Sequence, residues 1–184
     1  MMNKMSIAEF MIFEAAQAER HEFWDGKILA MAATTARHNR VVLNLSSRVA
    51  EHLDGTHCQL LSQMMKVQVD NIGLLYPDVM VTCEKQEAGD EVVVTDRKLV
   101  IEVLLPSTDG YAKRDKFARY RRLASLREYV LIDPTKRRVE ALTLNGSGTW
   151  LTTDQTELSE LSMISIDCRV PMRSIFRGVE SDCA

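Results

Sequence analysis

Two carboxylates stand inside otherwise apolar segments, and a lysine follows them at a spacing that lets it reach both. Glu102 interrupts Leu99-Val100-Ile101-Glu102-Val103-Leu104-Leu105, which reads as a strand buried on both faces. A carboxylate in such a strand is costly, and is normally paired, protonated or bound to a metal. The residues alone fit a salt bridge to a neighbouring arginine as well as a functional role. Asp78 interrupts a second apolar segment, Leu74-Leu75-Tyr76-Pro77-Asp78-Val79-Met80-Val81. Pro77 has no N–H to give to a ladder, so it marks a strand start, a bulge or an edge. An aspartate beside it can point away from the regular pleat, although a lone Pro-Asp also suits a turn or cap. If the two strands are neighbours, the carboxylates converge and repel one another unless a cation or a shared proton intervenes. Hard oxygen donors of this kind suit Mg²⁺ or Mn²⁺.

The lysine belongs to a basic segment. Lys113, Lys116 and Tyr120 fall at i, i+3 and i+7 of a helix expected over 113–126, hence on one face. Lys116 can reach the carboxylates there, to orient a water or stabilise a pentavalent phosphate. Lys113 reads more simply as a partly exposed lysine. Between Lys113 and Arg138 ten Lys/Arg face three Asp/Glu, a balance of +7, so the rest of a chain of net charge −3 carries −10. Charge alone fits a solvated helix face; beside a carboxylate site it reads as a phosphate-facing patch.

The elements that must position these residues are legible in outline. Ser6–Ala18 has the cap and the periodicity of a short helix, and Asp25-Gly26 is a turn signal inside a hairpin over 21–31. Thr34 or Thr35 caps a helix to about Leu53, with Val41, Val42, Leu45, Val49 and Leu53 as its apolar stripe. Strands are expected at 58–61, 65–69, 74–82, 98–105 and 129–132, with a charged loop over 84–96. A further hairpin turns at Asn145-Gly146-Ser147-Gly148, and an apolar tail packs back on the body. The expectation is one α/β (α+β) domain over residues 1–184, with a mixed sheet and its central elements at about 35–133. No apolar run is long enough to span a membrane, and no secretion signal is recognisable. The four scattered cysteines, Cys58, Cys83, Cys168 and Cys183, then read as incidental thiols of a cytoplasmic protein and not as a disulfide framework.

Taken in order, the motifs resemble a known family. Pro77-Asp78 followed by Glu102-Val103-Leu104-Leu105-Pro106-Ser107-Thr108 resembles the "PD…EVLSPST" signature of Uma2-like (DUF820) proteins, a branch of the PD-(D/E)XK nuclease-like superfamily. Lys116-Phe117-Ala118-Arg119-Tyr120 is similar to that family's "K…Y" helix, and Arg127–Pro134 to its "REYWLVDP" strand. His21–Ile28 is similar to its "YELIDGEI" segment, and His38 matches a histidine at the next helix. The resemblance covers about Ser6 to Phe176. It implies a restriction-endonuclease-like αβββαβ core preceded by a helix and hairpin, with Asp78 and Glu102 as metal ligands. The superfamily's usual lysine position, two residues after the acid, is here Leu104. The Uma2-like pattern puts the lysine on the following helix, as Lys116. Glu22 and His38 are implied as accessory residues, His38 as a cap or outer-sphere group.

The function expected is metal-dependent hydrolysis of DNA phosphodiester bonds. Asp78, Glu102 and Lys116 would be catalytic, Mg²⁺ (or Mn²⁺) the cofactor, and Lys113, Arg114, Arg119 and the run Lys136-Arg137-Arg138 the contacts to backbone phosphates. Family habit suggests a homodimer. The alternative is an inactive nuclease-fold module that binds nucleic acid or protein.

Overall fold

Helix α1 (Ile7–Ala15) begins with a reciprocal cap: the Ser6 hydroxyl accepts the Glu9 N–H, and the Glu9 carboxylate accepts the Ser6 N–H. This chain, seen in a computed structural model describing residues 4–62, 65–83, 93–94, 97–105 and 115–179, then forms the hairpin of β1 (His21–Trp24) and β2 (Lys27–Ala30). Asp25 and Gly26 take φ of 48° and 83° at its turn, the left-handed pair that matches strand twist in two-residue hairpins. Thr35 caps α2 (Ala36–Leu53), whose expected stripe is buried.

The remaining strands are β3 (Gln59–Ser62), β4 (Lys66–Val69), β5 (Gly73–Leu75), β6 (Val79–Thr82), β7 (Val93–Val94), β8 (Leu99–Val103), β9 (Glu128–Asp133), β10 (Arg138–Leu144), β11 (Trp150–Asp154), β12 (Glu160–Met163) and β13 (Cys168–Pro171). Six form a mixed sheet in the order β11-β10-β9-β8-β6-β3, in which only β8 and β9 run parallel. A smaller sheet has the order β2-β1-β5-β4-β7. Reading α2, β3, β6, β8, the short helix α3 (Phe117–Tyr120) and β9 gives the αβββαβ core, with β4, β5 and β7 inserted as part of the small sheet.

The large sheet separates two apolar clusters. Val41, Leu45, Leu99, Ile101 and Val103 belong to the α2 side. Val100, Leu104, Tyr120, Leu126 and Tyr129 belong to the other. Strand alternation therefore sends Glu102 to the second face, among Tyr120 and Tyr129. The ribbon β12–β13 and α4 (Met172–Ile175) pack back beside α2. No helix among the described residues is long and apolar enough to cross a membrane.

Three expectations change. The segment 74–82 is two strands, β5 and β6, lying in different sheets and separated at Tyr76-Pro77-Asp78. The helix expected over 113–126 has its described α-helical part confined to Phe117–Tyr120. After it the chain turns, because the N–H groups of Arg127 and Glu128 both bind the Lys98 carbonyl (2.9 and 3.2 Å) and bring β9 alongside β8. Lys113 and Arg114 lie outside the described residues, as does all of the expected loop 84–96 except residues 93 and 94. Finally, Cys58 and Cys83 form a disulfide. The β3–β6 register pairs Gln59 with Thr82, so Cys58 falls opposite Cys83, Cα atoms 3.9 Å apart; a separation of 25 residues in sequence carries no hint of it.

Two consequences of the packing are measurable. A Cβ at Gly73 would collide with the Trp24 indole, whose face carries the Arg119 guanidinium 5.0 Å away. Gly73→Ala is expected to lower stability by about 1–3 kcal/mol, as overpacking does, read as a lower urea midpoint at unchanged slope. Glu128 is fully buried and accepts the N–H groups of Ile164 and Ser165 at 3.3 and 2.9 Å. Burial still holds its pKa above the ordinary carboxylate value. The folded state therefore binds that proton more tightly than the unfolded chain, and stability falls as pH rises from the ordinary value through the folded one. Glu128→Gln should gain stability relative to wild type with increasing pH across that window, measured by denaturation at several pH values. A pH-independent difference would count against it.

Candidate active site

The site forms where the chain crosses from the small sheet to the large one. Pro77 cannot continue a ladder, so the backbone leaves β5 at Leu75 and enters β6 at Val79. The crossing is tied down on the small-sheet side. The Tyr76 N–H donates to Glu22 Oε1 (3.2 Å), and the Tyr76 hydroxyl donates to Glu14 Oε1 (3.0 Å). Glu14, buried at the end of α1, also accepts the His21 N–H (3.0 Å) and lies 3.2 Å from His21 Nδ1. Burial first, and the Glu14 carboxylate second, push the Tyr76 phenol above its ordinary value.

Asp78 is thereby delivered to the C-terminal end of β8. Its Oδ2 accepts the Val103 N–H at 2.8 Å and lies 3.2 Å from His38 Nε2. His38 is held in turn by its Nδ1, 3.0 Å from the Thr34 hydroxyl, and by its backbone N–H, donated to the Thr35 cap. The first turn of α2 thus positions Asp78 through an imidazole.

Glu102 is 4% exposed. Its Oε1 accepts the Tyr120 hydroxyl at 3.0 Å, and both oxygens lie near Lys116 Nζ, at 3.2 and 3.3 Å. The same ammonium is 2.9 Å from Glu22 Oε1. Lys116 and Tyr120, four residues apart, approach one carboxylate from the same side. Lys116 bridges the two sheets, joining Glu102 of β8 to Glu22 of β1. Burial pushes the Glu102 carboxyl up to about 8; the Lys116 ammonium opposes this, and the Asp78 and Glu22 carboxylates reinforce it. For Lys116, burial favours the neutral amine, but Glu102 and Glu22 outweigh it and hold the ammonium above its ordinary value. Burial and Glu102 likewise hold the Tyr120 phenol protonated.

Lys116 ties Glu102 to Glu22, and the Asp78–His38 pair adjoins them through the Val103 N–H next to Glu102. Tyr120 belongs with them: the sequence marks it as the tyrosine of the "K…Y" helix but not as a site residue, and its place four residues after Lys116 is the signal that points to it. The expected phosphate contacts sit differently. Arg119 stacks on Trp24, Lys136 lies 3.6 Å from Asp133, Arg138 bridges Glu140 and Asp154 at 3.0 and 3.2 Å, and Arg137 donates to the Val179 carbonyl.

The donor set suits a hard divalent cation in charge. Three carboxylates, Glu22, Asp78 and Glu102, accompany one ammonium, and the excess negative charge is what burial penalises most. Their spacing is wider than that of a closed ligand cage. Among the described residues, the group of three His, Cys, Asp or Glu whose ligand atoms lie within 4.8 Å of one another is His57, Cys58 and Cys83, elsewhere in the fold.

Comparison with known proteins agrees with this architecture. Residues 7–169 match the family model "Uma2: Putative restriction endonuclease". The chain is 32% identical over 177 residues to the uncharacterized protein slr1290 of Synechocystis, covering 96% of this chain and 93% of that one. It is 33% identical over 153 residues to sll1609 of the same organism, covering 82% and 86%. The crystal structure of a "putative nuclease belonging to DUF820" from Anabaena variabilis superposes with a TM-score of 0.78 at 14% identity, over 96% of this chain and 99% of that one. The mixed α+β fold is thus that of a nuclease-like DUF820 structure, and this chain belongs to the Uma2 family.

Proposed function

We propose that the chain is a metal-dependent endonuclease that hydrolyses DNA phosphodiester bonds, with Asp78 and Glu102 holding Mg²⁺ or Mn²⁺. The observation that carries this reading is the ammonium of Lys116 set between two buried glutamates, with Asp78 at the adjoining strand end. A salt bridge serving stability alone needs one carboxylate per cation; here two buried glutamates share one lysine, and a third acid, Asp78, is bound to the backbone N–H next to Glu102. The family description and the DUF820 relative point to the same class of reaction.

When bound, the metal would supply Lewis-acid charge at the phosphate and a water of lowered pKa. The protein groups then have distinct parts. Lys116 keeps its proton, so it contributes positive charge beside a phosphate and does not take a proton from water. Tyr120 donates to Glu102 and fixes the rotation of that carboxylate. His38 holds Asp78 from the α2 side, leaving the Val103 N–H to hold it from the strand. Glu22 anchors Lys116 from the small sheet.

Calorimetric titration with Mg²⁺ or Mn²⁺ should show binding to the wild type and its loss in Glu102→Gln and Asp78→Asn, both of which should also lose cleavage while remaining folded. No binding by the wild type, even with DNA present, would favour an inactive nuclease-fold module.

Lys116→Met separates charge from ligation. It should retain metal binding while cleavage falls by about 10²-fold or more, the cost of removing one preorganised donor to a developing charge. Undiminished cleavage would remove Lys116 from the mechanism.

A further inference from the structure

We propose that His57, Cys58 and Cys83 form a second metal site, of soft-donor type, which takes Zn²⁺ when the two cysteines are reduced. The site is independent of the carboxylate cluster: Cys83 follows the last residue of β6, and Asp78 precedes the first. Its backbone is set by the sheet. Cys58 and Cys83 continue the β3–β6 register as an opposed pair, Cα atoms 3.9 Å apart. His57 Nε2 lies 4.0 Å from Cys58 Sγ, and the three ligand atoms fall within 4.8 Å of one another. His57 is exposed and both cysteines are half-buried, so the cluster is open to solvent.

Two thiolates and an imidazole are donors that select Zn²⁺ over Mg²⁺, the reverse of the carboxylate site. In a tetrahedral site with Zn–S of about 2.3 Å, the sulfurs stand roughly 3.7 Å apart. Cysteines facing one another across a ladder reach that separation by rotating their side chains, and the imidazole already stands beside them, 4.0 Å from the Cys58 sulfur. Water completes the fourth position, as at other three-ligand zinc sites.

Opening the site takes a dithiol reductant. Two electrons and two protons pass to the Cys58–Cys83 disulfide, giving two thiols, and the reductant becomes its own disulfide. Zn²⁺ then displaces both thiol protons, forming two Zn–S bonds and one Zn–N bond. The disulfide and the metal thus compete for the same two sulfurs, and each ties edge strand β3 to β6.

Cobalt(II) is the probe. The full-length protein, reduced with a dithiol and freed of it, is titrated with Co²⁺, following thiolate-to-metal charge transfer in the near ultraviolet and the tetrahedral bands in the red; Zn²⁺ should displace the signal. The signal should be absent from the oxidised protein and from Cys83→Ser. Affinity should fall by at least about tenfold in His57→Ala, a ligand counting for no less than the outer-sphere partners of such sites. Asp78→Asn should leave it unchanged. His57 is exposed, so its variant tests the site without threatening the fold. A folded protein whose disulfide resists the dithiol, a reduced wild type without the bands, or bands indifferent to His57→Ala would each overturn the proposal.

Discussion

A carboxylate on a strand buried on both faces obliges its surroundings to supply positive charge and donors. Glu102 sets that requirement here, because β8 is packed between two apolar clusters and has no solvent-facing side. An ammonium alone would be costly to bury beside it. The fold answers with Lys116 and Tyr120 from one turn of helix, and with a second glutamate across the pocket to hold the lysine. The compensation is incomplete by charge, and that imbalance makes the cluster a candidate for chemistry and not only for stability.

The small sheet takes its meaning from this requirement. Its strands contribute little to the core around α2, yet β1 carries Glu22, and β5 leads directly into Asp78. The proline at the crossing ends one ladder and allows the next to begin in another sheet, so its two flanking residues, Tyr76 and Asp78, serve different layers. Tyr76 is bound to Glu22 and Glu14 on one side, while Asp78 is bound to His38 and Val103 on the other. The two sheets are therefore joined by polar contacts through the site itself, and a change at Glu22, Tyr76 or Lys116 acts on both.

The edge of the large sheet offers a contrasting chemistry. There, two sulfurs and an imidazole meet because an antiparallel register aligns residues from strand ends 25 positions apart. Oxygen donors thus stand at one end of β6 and sulfur atoms at the other, two chemically different environments on one strand.

Local signals were enough for much of this. The Ser6 and Thr35 caps, the Asp25-Gly26 turn and the α2 stripe act within a few residues, so each could be read from its own segment. Glu102 announced itself because a charge in an apolar run violates a burial rule, and Pro77 because it cannot donate. Other features have no local expression. That 74–82 divides between two sheets depends on which strands lie beside it. That the described helix stops at Tyr120 depends on the pull of the Lys98 carbonyl on the returning chain. The pairing of Cys58 with Cys83 depends on register alone. The identities of the charged groups were set by the chain itself; which of them share a pocket was decided by strand order and register, since electrostatic partnership is a matter of ångströms in space and not of positions in a sequence.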